Sequence, residues 1–294
     1  MIISTIVYLL LLFLLTTYVS YIVHDRKFKS MYSPEEIALV RRYTQGITPQ
    51  FKTRDMPNIQ PKTSNIKRFE DIQNVLFINL DERTDRRDET VQHLTQLGFK
   101  PQRLSAVKFT PGALGCSLSH IKAIELAKAN KWTHVLVCED DALFGDSSRV
   151  KEQVNCFLQR HDDWDIILFS VYVAKGLYVD SCSARVYDSY CTTAYLVRQE
   201  YYDVLLHNYK RGAYKFFNYK INTPIDHFWS SLQNRDQWYT ILPIVAVQRP
   251  SKSDVNDGKV FTDFRDGTIT SYTENIQNYP SDEQAKIREI VGNT

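Results

Sequence analysis

From residue 74 onward, short apolar runs of strand length alternate with segments of helical periodicity. Residues 74–80 (NVLFINL), 134–138 (HVLVC) and 165–170 (DIILFS) are typical of strands that are buried on both faces. Residues 85–97 and 117–130 repeat apolar side chains at helical spacing. Alternating strands and helices predict an α/β domain with a mainly parallel central sheet.

Weaker patterns fill the rest of this region. Residues 102–107 predict a short strand, residues 148–160 and 198–208 predict helices, and residues 241–248 predict a late strand or extended segment. Residues 171–188 match no pattern that assigns them a structure. After residue 260 the chain is polar and weakly patterned, so we expect a tail packed on the domain or extending from it.

The charge balance excludes one class of partner. The chain has 36 Lys and Arg residues against 34 Asp and Glu residues, a net charge of +2. So small an excess provides no field that would attract a nucleic acid, and none is expected as a partner. A hydrophobic fraction of 43% also excludes a disordered chain.

The N-terminus predicts a membrane anchor. Residues 2–23 carry no formal charge, and as a helix they would span roughly 33 Å, the thickness of a bilayer core. No basic residue precedes the run, and Tyr18, Val19 and Tyr21 make a poor cleavage site for a signal peptide. We therefore expect an uncleaved single-pass helix that holds the protein on a membrane.

The side of the membrane stays open. Arg26, Lys27 and Lys29 follow the span, and the positive-inside rule would keep that flank in the cytosol. The absence of an Asn-x-Ser/Thr sequon from the sequence agrees with a cytosolic domain. A lumenal domain of the Golgi or ER type is the alternative, and protease protection on membranes separates the two.

These patterns divide the chain into four parts. The anchor and its basic flank occupy residues 1–29, a proline-interrupted stem residues 30–72, the folded domain residues 73–260 and the tail residues 261–294. Within the stem, Ser33 and Pro34 predict the start of a short helix that ends at Tyr43.

The cysteines do not predict a disulfide framework. Their number is odd and their spacing is loose: Cys116, Cys138, Cys156, Cys182 and Cys191. Cys138 lies in an apolar run and is expected to be a reduced core residue. Cys182 and Cys191 could meet across a hairpin, which is the one pairing that the sequence suggests.

Polar clusters follow two of the predicted strands, where ligands bind in open α/β sheets. After residues 74–80 come Arg83, Arg86 and Arg87 near a helix start, which favours an anion such as phosphate. The alternative is a solvated helix start whose arginines pair with the acidic residues beside them. After residues 134–138 comes the acidic triplet, residues 139–141, which suits Mg²⁺ or Mn²⁺. Its alternative is a solvated turn that caps the next helix.

Two further segments carry chemistry. Residues 112–120 (GALGCSLSH) place two glycines and two hydroxyls at a helix start, where they can cradle a nucleotide. Cys116 and His120 have helical i, i+4 spacing, but a zinc site needs two more ligands and the sequence shows none at suitable spacing. In residues 224–229 (PIDHFW), Asp226 is a candidate general base or metal ligand and His227 a candidate metal ligand. A helix-capping role for Asp226 is the alternative.

These features, in this order, resemble glycosyltransferase family 25, which includes bacterial lipooligosaccharide galactosyltransferases and the procollagen galactosyltransferases. The matching segments are FINLDERTDRR (77–87), RLSAV (103–107), GALGCSLSHIKAIELA (112–127), VLVCEDD (135–141), TTAYLV (192–197), PIDHFW (224–229) and PIVAVQRPSKSDV (243–255). The resemblance implies a GT-A type fold, a nucleotide-sugar donor that is commonly UDP-galactose, and inversion at the sugar carbon.

The resemblance also implies roles for residues. It assigns nucleotide-sugar binding to Asn79, Leu80, Arg83, Arg86, Ala106, Gly115, Ser119, His120 and Asp140. The acidic triplet predicts a Mn²⁺ or Mg²⁺ cofactor held by Glu139 and Asp141, with His227 as a further candidate ligand. Asp226 matches the family's Asp in its motif, which makes it the expected catalytic base. Tyr195 and Trp229 are expected to pack against sugar faces. The acceptor would be a hydroxyl of a glycan or glycoprotein, and the transferred hexose galactose or glucose.

Two other functions remain open at this point. The acidic triplet would equally serve a metal-dependent hydrolase of phosphoesters or nucleotide-sugars. A catalytically silent carbohydrate-binding protein on the same fold is the second alternative, although an intact acidic triplet and Asp226 argue against it.

Overall fold

The structure is a computed structural model. It describes residues 7, 10, 11, 13–20, 31–47, 65–219 and 224–249. The predicted anchor lies mostly outside these residues, as does much of the stem, and the tail lies outside them entirely, so these predictions stay predictions. Within the described ranges, no helix combines the length and the apolar character that crossing a membrane requires.

Ten strands and six α-helices form residues 31–47, 65–219 and 224–249, and residues 13–20 are also helical. The strands are β1 (Val75–Asn79), β2 (Pro101–Ser105), β3 (His134–Glu139), β4 (Ala142–Phe144), β5 (Ile166–Leu168), β6 (Tyr172–Asp180), β7 (Ser183–Tyr190), β8 (Ala194–Arg198), β9 (Trp238–Ile241) and β10 (Ala246–Gln248). The helices are α1 (Pro34–Tyr43), α2 (Thr84–Gln96), α3 (Gly112–Ala129), α4 (Ser147–Arg160), α5 (Tyr202–Tyr219) and α6 (Ile225–Gln233). Short 3-10 turns stand at Phe69–Asp71 and Gln199–Tyr201.

Eight of these strands form one sheet in the order β2-β1-β3-β8-β5-β9-β7-β6. The pairs β1–β2, β1–β3 and β5–β9 are parallel, and β8 and β7 run against their neighbours. In the described chain, six of the eight strands therefore share one direction. The prediction of an α/β fold with a mainly parallel sheet is confirmed. Strands β4 and β10 pair separately and antiparallel.

Helices cover both faces of the sheet because the central strands are apolar on both sides. On β1, Leu76 and Ile78 face a cluster that also contains α3 and α5 residues. Val75 and Phe77 face the opposite cluster, with residues of α4. Every residue of β1 is buried, which is why residues 74–80 lack the alternating pattern of a half-exposed strand.

The predicted helices are present, with shifted ends. The helix predicted to begin at residue 117 begins at Gly112, and the helix predicted over 198–208 continues to Tyr219. Residues 171–188, which had no predicted structure, form most of the β6–β7 hairpin. The late segment 241–248 is divided, because β9 ends at Ile241 and β10 begins at Ala246.

Part of the predicted stem packs on the domain. Helix α1 begins as predicted, with Ser33 and Glu36 forming a capping box whose two hydrogen bonds are 3.1 and 2.8 Å long. Val40 and Tyr43 are buried in the same cluster as α3 and α5.

The cysteine pairing differs from the sequence expectation. Cys156 on α4 and Cys182 in the β6–β7 turn form a disulfide, with their Cα atoms 6.2 Å apart. The suggested pairing of Cys182 with Cys191 is wrong, because Cys191 lies beyond the other end of β7 and its thiol donates to Thr193. Cys138 is a buried free cysteine, as predicted.

His134 generates a prediction about stability. Its Nε2 atom accepts a hydrogen bond from the backbone N–H of Gln73 at 3.0 Å, and burial lowers the pKa of His134 from 6.5 to about 4. Between these pH values the unfolded chain binds more protons than the folded chain, so acid favours unfolding. Because one pKa unit corresponds to about 1.4 kcal/mol, we expect the free energy of unfolding to fall by up to about 3 kcal/mol as the pH drops from 6.5 to 4.

Urea unfolding at a series of pH values measures this loss, with His134→Gln as the comparison. The glutamine amide keeps an acceptor for Gln73 but does not titrate. The variant should therefore show a flatter pH dependence than the wild type, and equal slopes for both would contradict the prediction.

Candidate active site

The polar clusters that follow β1 and β3 meet because these strands are parallel neighbours, with Ile78 in register with Glu139. The Asn79 Nδ2 atom donates to Asp140 Oδ2 at 2.8 Å. The Arg86 Nη1 atom, on α2, lies 2.8 Å from Asp140 Oδ1. Both carboxylate oxygens of Asp140 are therefore held by protein donors in a buried network.

The negative charge of Asp141 is only partly compensated by neighbouring groups. Arg86 Nη1 lies 3.5 Å from its Oδ2 atom, and the Gln248 amide donates to the same oxygen at 3.2 Å. Among the described residues, its Oδ1 atom is buried without a hydrogen-bond partner. Burial and the neighbouring charge of Glu139 raise the pKa of Asp141 to about 7. A cation at Oδ1 would relieve this cost.

Glu139 completes the acidic triplet. Thr192 Oγ1 donates to its Oε1 atom at 2.5 Å, and His120 Nε2 lies 3.3 Å from the same oxygen. Burial opposes ionisation, but the hydrogen bonds and charges around the carboxylate, those of His120 first, hold the pKa of Glu139 below its ordinary value.

His120 and Cys116 lie one turn apart on α3 and face this carboxylate. His120 Nδ1 lies 2.9 Å from the Tyr195 hydroxyl. The Cys116 sulfur, a ring nitrogen of His120 and a carboxylate oxygen of Glu139 lie within 4.8 Å of one another. The sequence revealed the Cys–His spacing but not the third potential ligand, which comes from a strand nineteen residues further on.

The start of α3 holds the loop that follows β2. A Cβ on Gly115 would lie 2.7 Å from the Val107 carbonyl oxygen, so only glycine fits there. Ser119 Oγ accepts the Val107 N–H at 2.8 Å and donates to the Gly115 carbonyl at 2.7 Å. The Ala106 N–H donates to the Asn79 carbonyl at 2.9 Å. These candidate binding residues thus fix the backbone beside the carboxylates.

Asp226 lies at the start of α6 and reaches the same region through one short segment. Its Oδ2 atom accepts the Cys191 N–H at 3.1 Å, and its Oδ1 atom accepts the His227 N–H at 2.9 Å. Thr192, the residue after Cys191, is the donor to Glu139. Cys191 has a φ of 89°, which is unusual for a residue other than glycine.

His227 and the arginines differ in their surroundings from the expected arrangement. The His227 ring lies against Tyr190, with ring centroids 4.5 Å apart, and its predicted metal-binding role stays a prediction. Arg83 pairs with Asp85 at 3.2 Å, as the alternative of an ion-paired helix start describes. Arg86 is buried instead and pairs with the acidic triplet. The Leu80 carbonyl closes the turn before α2 by accepting the Arg83 N–H at 3.0 Å.

The expectation that Tyr195 and Trp229 pack against a sugar is wrong. Both side chains are fully buried. Tyr195 bonds His120, and Trp229 donates its Nε1–H to the Ser189 carbonyl at 3.0 Å. Both side chains therefore belong to the protein interior behind the candidate site.

Comparison with known proteins gives a match to one glycosyltransferase family over part of the chain. The sequence profile of glycosyltransferase family 25 (LPS biosynthesis protein) matches residues 105–229. This match confirms the family resemblance, and it contains the acidic triplet and Asp226 but not Asn79 or Arg86. The curated proteins include no significant match.

Solved structures with a similar arrangement include two transferases. One is a mannose-1-phosphate geranyltransferase from Thermus thermophilus, with 8% identity and a TM-score of 0.35 over 60% of this chain and 74% of that chain. The other is a glycosyltransferase involved in the glycosylation of the major capsid of PBCV-1, with 9% identity and a TM-score of 0.29 over 58% of this chain and 92% of that chain.

Gly115 generates a prediction about the loop beside the site. In Gly115→Ala, the new methyl group would press on the Val107 carbonyl, so the loop or α3 must shift. We expect the free energy of unfolding to fall by about 1–3 kcal/mol. Urea unfolding measures the change.

Gly145→Ala is the matched control, because its Cβ would lie no closer than 3.9 Å to the Val245 carbonyl oxygen. A control within about 0.5 kcal/mol of the wild type would assign the loss to the contact. Equal losses in both variants would refute the steric explanation.

Proposed function

We propose that the protein is a metal-dependent inverting glycosyltransferase. It transfers a hexose, galactose or glucose, from a UDP-sugar to a hydroxyl of a glycan or glycoprotein. The observation that carries the proposal is that Asp226 and Glu139 accept hydrogen bonds from two adjacent residues, Cys191 and Thr192, at one end of the sheet. The family match over residues 105–229 supports the same class of reaction.

The residues present fit a divalent cation. Asp141 offers a buried carboxylate oxygen to which no donor comes from the described part of the chain, and Glu139 is ionised beside it. Oxygen ligands of this kind suit Mn²⁺ or Mg²⁺. When bound, the ion would supply Lewis-acid stabilisation of the charge that develops on the departing diphosphate.

The chain's own residues would fix this end of the donor. Arg86 and Asn79 hold Asp140, which keeps the triplet in place although its charges repel one another. Arg83 stands at the start of α2, where backbone N–H groups also favour an anion, and its side chain is 21% exposed. These groups provide a preorganised positive field for a diphosphate.

Asp226 would serve as the base. Its two oxygens accept the Cys191 and His227 N–H groups, which orient the carboxylate and leave lone pairs for an acceptor hydroxyl. An alcohol is very weakly acidic, so its proton leaves as the new glycosidic bond forms. A carboxylate is then sufficient as the base.

The cation requirement is tested by UDP binding. Isothermal titration should show that Mn²⁺ increases the affinity of the wild-type protein for UDP, and that Asp141→Ala abolishes this increase. Asp88→Ala is the control, because Asp88 is an exposed acid of α2 that pairs with Arg87. Equal UDP affinity with EDTA and with Mn²⁺ in the wild type would reject the metal role.

The catalytic role of Asp226 is tested by turnover. In Asp226→Asn, an amide oxygen still accepts the Cys191 N–H, but the base is lost. We expect kcat for sugar transfer to fall by about 10²-fold or more, with UDP and Mn²⁺ binding unchanged. A variant that retains wild-type kcat would remove Asp226 from the mechanism.

The same assay, run over a panel of UDP-sugars with and without acceptors, separates the other functions. Release of free sugar without an acceptor, at a rate near the best transfer rate, would indicate a hydrolase. Binding without turnover of any UDP-sugar would indicate a silent carbohydrate-binding protein. Transfer that depends on an acceptor is the expected result, and it also names the sugar.

A further inference from the structure

The cluster formed by Cys116, His120 and Glu139 has a donor set different from that of the acidic triplet. It combines a sulfur, an imidazole nitrogen and a carboxylate oxygen within 4.8 Å of one another. Sulfur and imidazole ligands favour Zn²⁺, whereas Mn²⁺ and Mg²⁺ prefer oxygen ligands. The two donor sets share one residue, Glu139.

His120 is oriented as a metal-binding histidine is. Its Nδ1 atom lies 2.9 Å from the hydroxyl of the fully buried Tyr195, and the two rings are stacked with centroids 5.7 Å apart. His120 Nε2 lies 3.3 Å from Glu139 Oε1. On binding an ion, the proton would sit on Nδ1 and be donated to Tyr195, which leaves the Nε2 lone pair for the ion. A hydrogen bond to the second ring nitrogen is the usual support of a ligating histidine.

The cluster is also reachable. Cys116 is half-buried and the Glu139 side chain is 21% exposed, so an ion can enter from the side of the acidic triplet. Cys138 and Cys191, the other free cysteines of the described chain, are both buried. Three protein ligands leave a fourth position open for water, the arrangement of reactive rather than structural zinc sites.

We propose that Cys116, His120 and Glu139 form a second cation site, selective for thiophilic divalent ions such as Zn²⁺. Occupation of this site excludes Mn²⁺ from the acidic triplet, because both ions need Glu139. On binding, the Cys116 S–H bond breaks, its proton leaves to solvent, and a metal–sulfur bond forms without oxidation or reduction. The competition with Mn²⁺ rests on the proposed function, whereas the binding of the thiophilic ion does not.

Cobalt absorption tests the thiophilic site directly. The purified full-length protein, in a buffer without added thiols, is titrated with Co²⁺ alone. Binding should produce a thiolate-to-cobalt charge-transfer band in the near ultraviolet, with a stoichiometry of one ion per chain, and Zn²⁺ should displace it. A wild-type protein without this band would overturn the proposal.

The variants assign the sulfur. Cys116→Ser should abolish the charge-transfer band, whereas Cys191→Ser, a matched loss of a neighbouring free thiol, should retain it. Tyr195→Phe should weaken Co²⁺ binding by about 10-fold or more, since it removes the support of His120. Circular dichroism checks that each variant folds. If Cys116→Ser fails to fold, loss of the band in His120→Gln serves instead, and a band that persists in a folded variant of either residue refutes the assignment.

Competition is measured by the electron paramagnetic resonance signal of free Mn²⁺. Adding Zn²⁺ to the wild-type protein should release bound Mn²⁺, and Cys116→Ser should bind Mn²⁺ but no longer release it. Simultaneous binding of both ions would refute the sharing of Glu139. A cobalt band in a protein that binds no Mn²⁺ would refute the metal role under the proposed function and leave the thiophilic site standing.

Discussion

Three consecutive carboxylates at the end of a buried strand are the constraint on which this site depends. Their charges repel one another, and burial removes the water that would screen them. One buried arginine compensates part of this negative charge. Arg86 forms ion pairs with Asp140 at 2.8 Å and with Asp141 at 3.5 Å. This guanidinium lies beside the triplet because α2 begins shortly after β1. The side-chain amide of Asn79 stabilises the turn between the two elements by donating to both the Arg83 carbonyl and Asp140. Removing the arginine alone would leave buried charge without compensation, a change that typically costs about 3–5 kcal/mol.

The three carboxylates are compensated to different extents, and this difference gives them different roles. Both carboxylate oxygens of Asp140 accept hydrogen bonds, and its backbone carbonyl accepts the Thr90 hydroxyl at 2.9 Å. Asp140 therefore stabilises the local fold as well as lying beside the proposed ligand site. Within the described ranges no donor reaches one buried oxygen of Asp141, and burial raises the pKa of this carboxyl to about 7. Glu139 stays ionised because its donors come from α3 and from the segment after β7. The proposed cation would therefore bind the outer two carboxylates of the triplet, which are the two that the sequence predicts as metal ligands.

The sequence predicted most of the fold where the signal is local. A strand buried on both faces must be an apolar run, so β1 and β3 were identifiable, and two parallel neighbours necessarily bring their following polar residues together. Non-local features had no such signal. The β6–β7 hairpin carries register shifts that break a strict alternation, and Cys156 and Cys182 pair only because α4 packs over its turn. The first turn of α3 was missed because glycines weaken helical propensity, although Gly115 is required there by the close Val107 backbone.

The chain around the end of β7 links Asp226 to the acidic triplet, although these residues are far apart in the sequence. The carbonyl of Ser189, near the end of β7, accepts from Trp229, and the Cys191 N–H just after β7 donates to Asp226, so this part of the chain is bound to α6 at two points. Two residues later, the Thr193 carbonyl accepts the Glu139 N–H at 2.8 Å, which fastens it to β3. Cys191 lies between these attachments with a positive φ, a conformation that costs about 1–3 kcal/mol and persists only where the surroundings enforce it. The spacing between Asp226 and the acidic triplet is thus set by backbone that is held on both sides. This connection would hold the proposed base on α6 at a fixed separation from the carboxylates that follow β3.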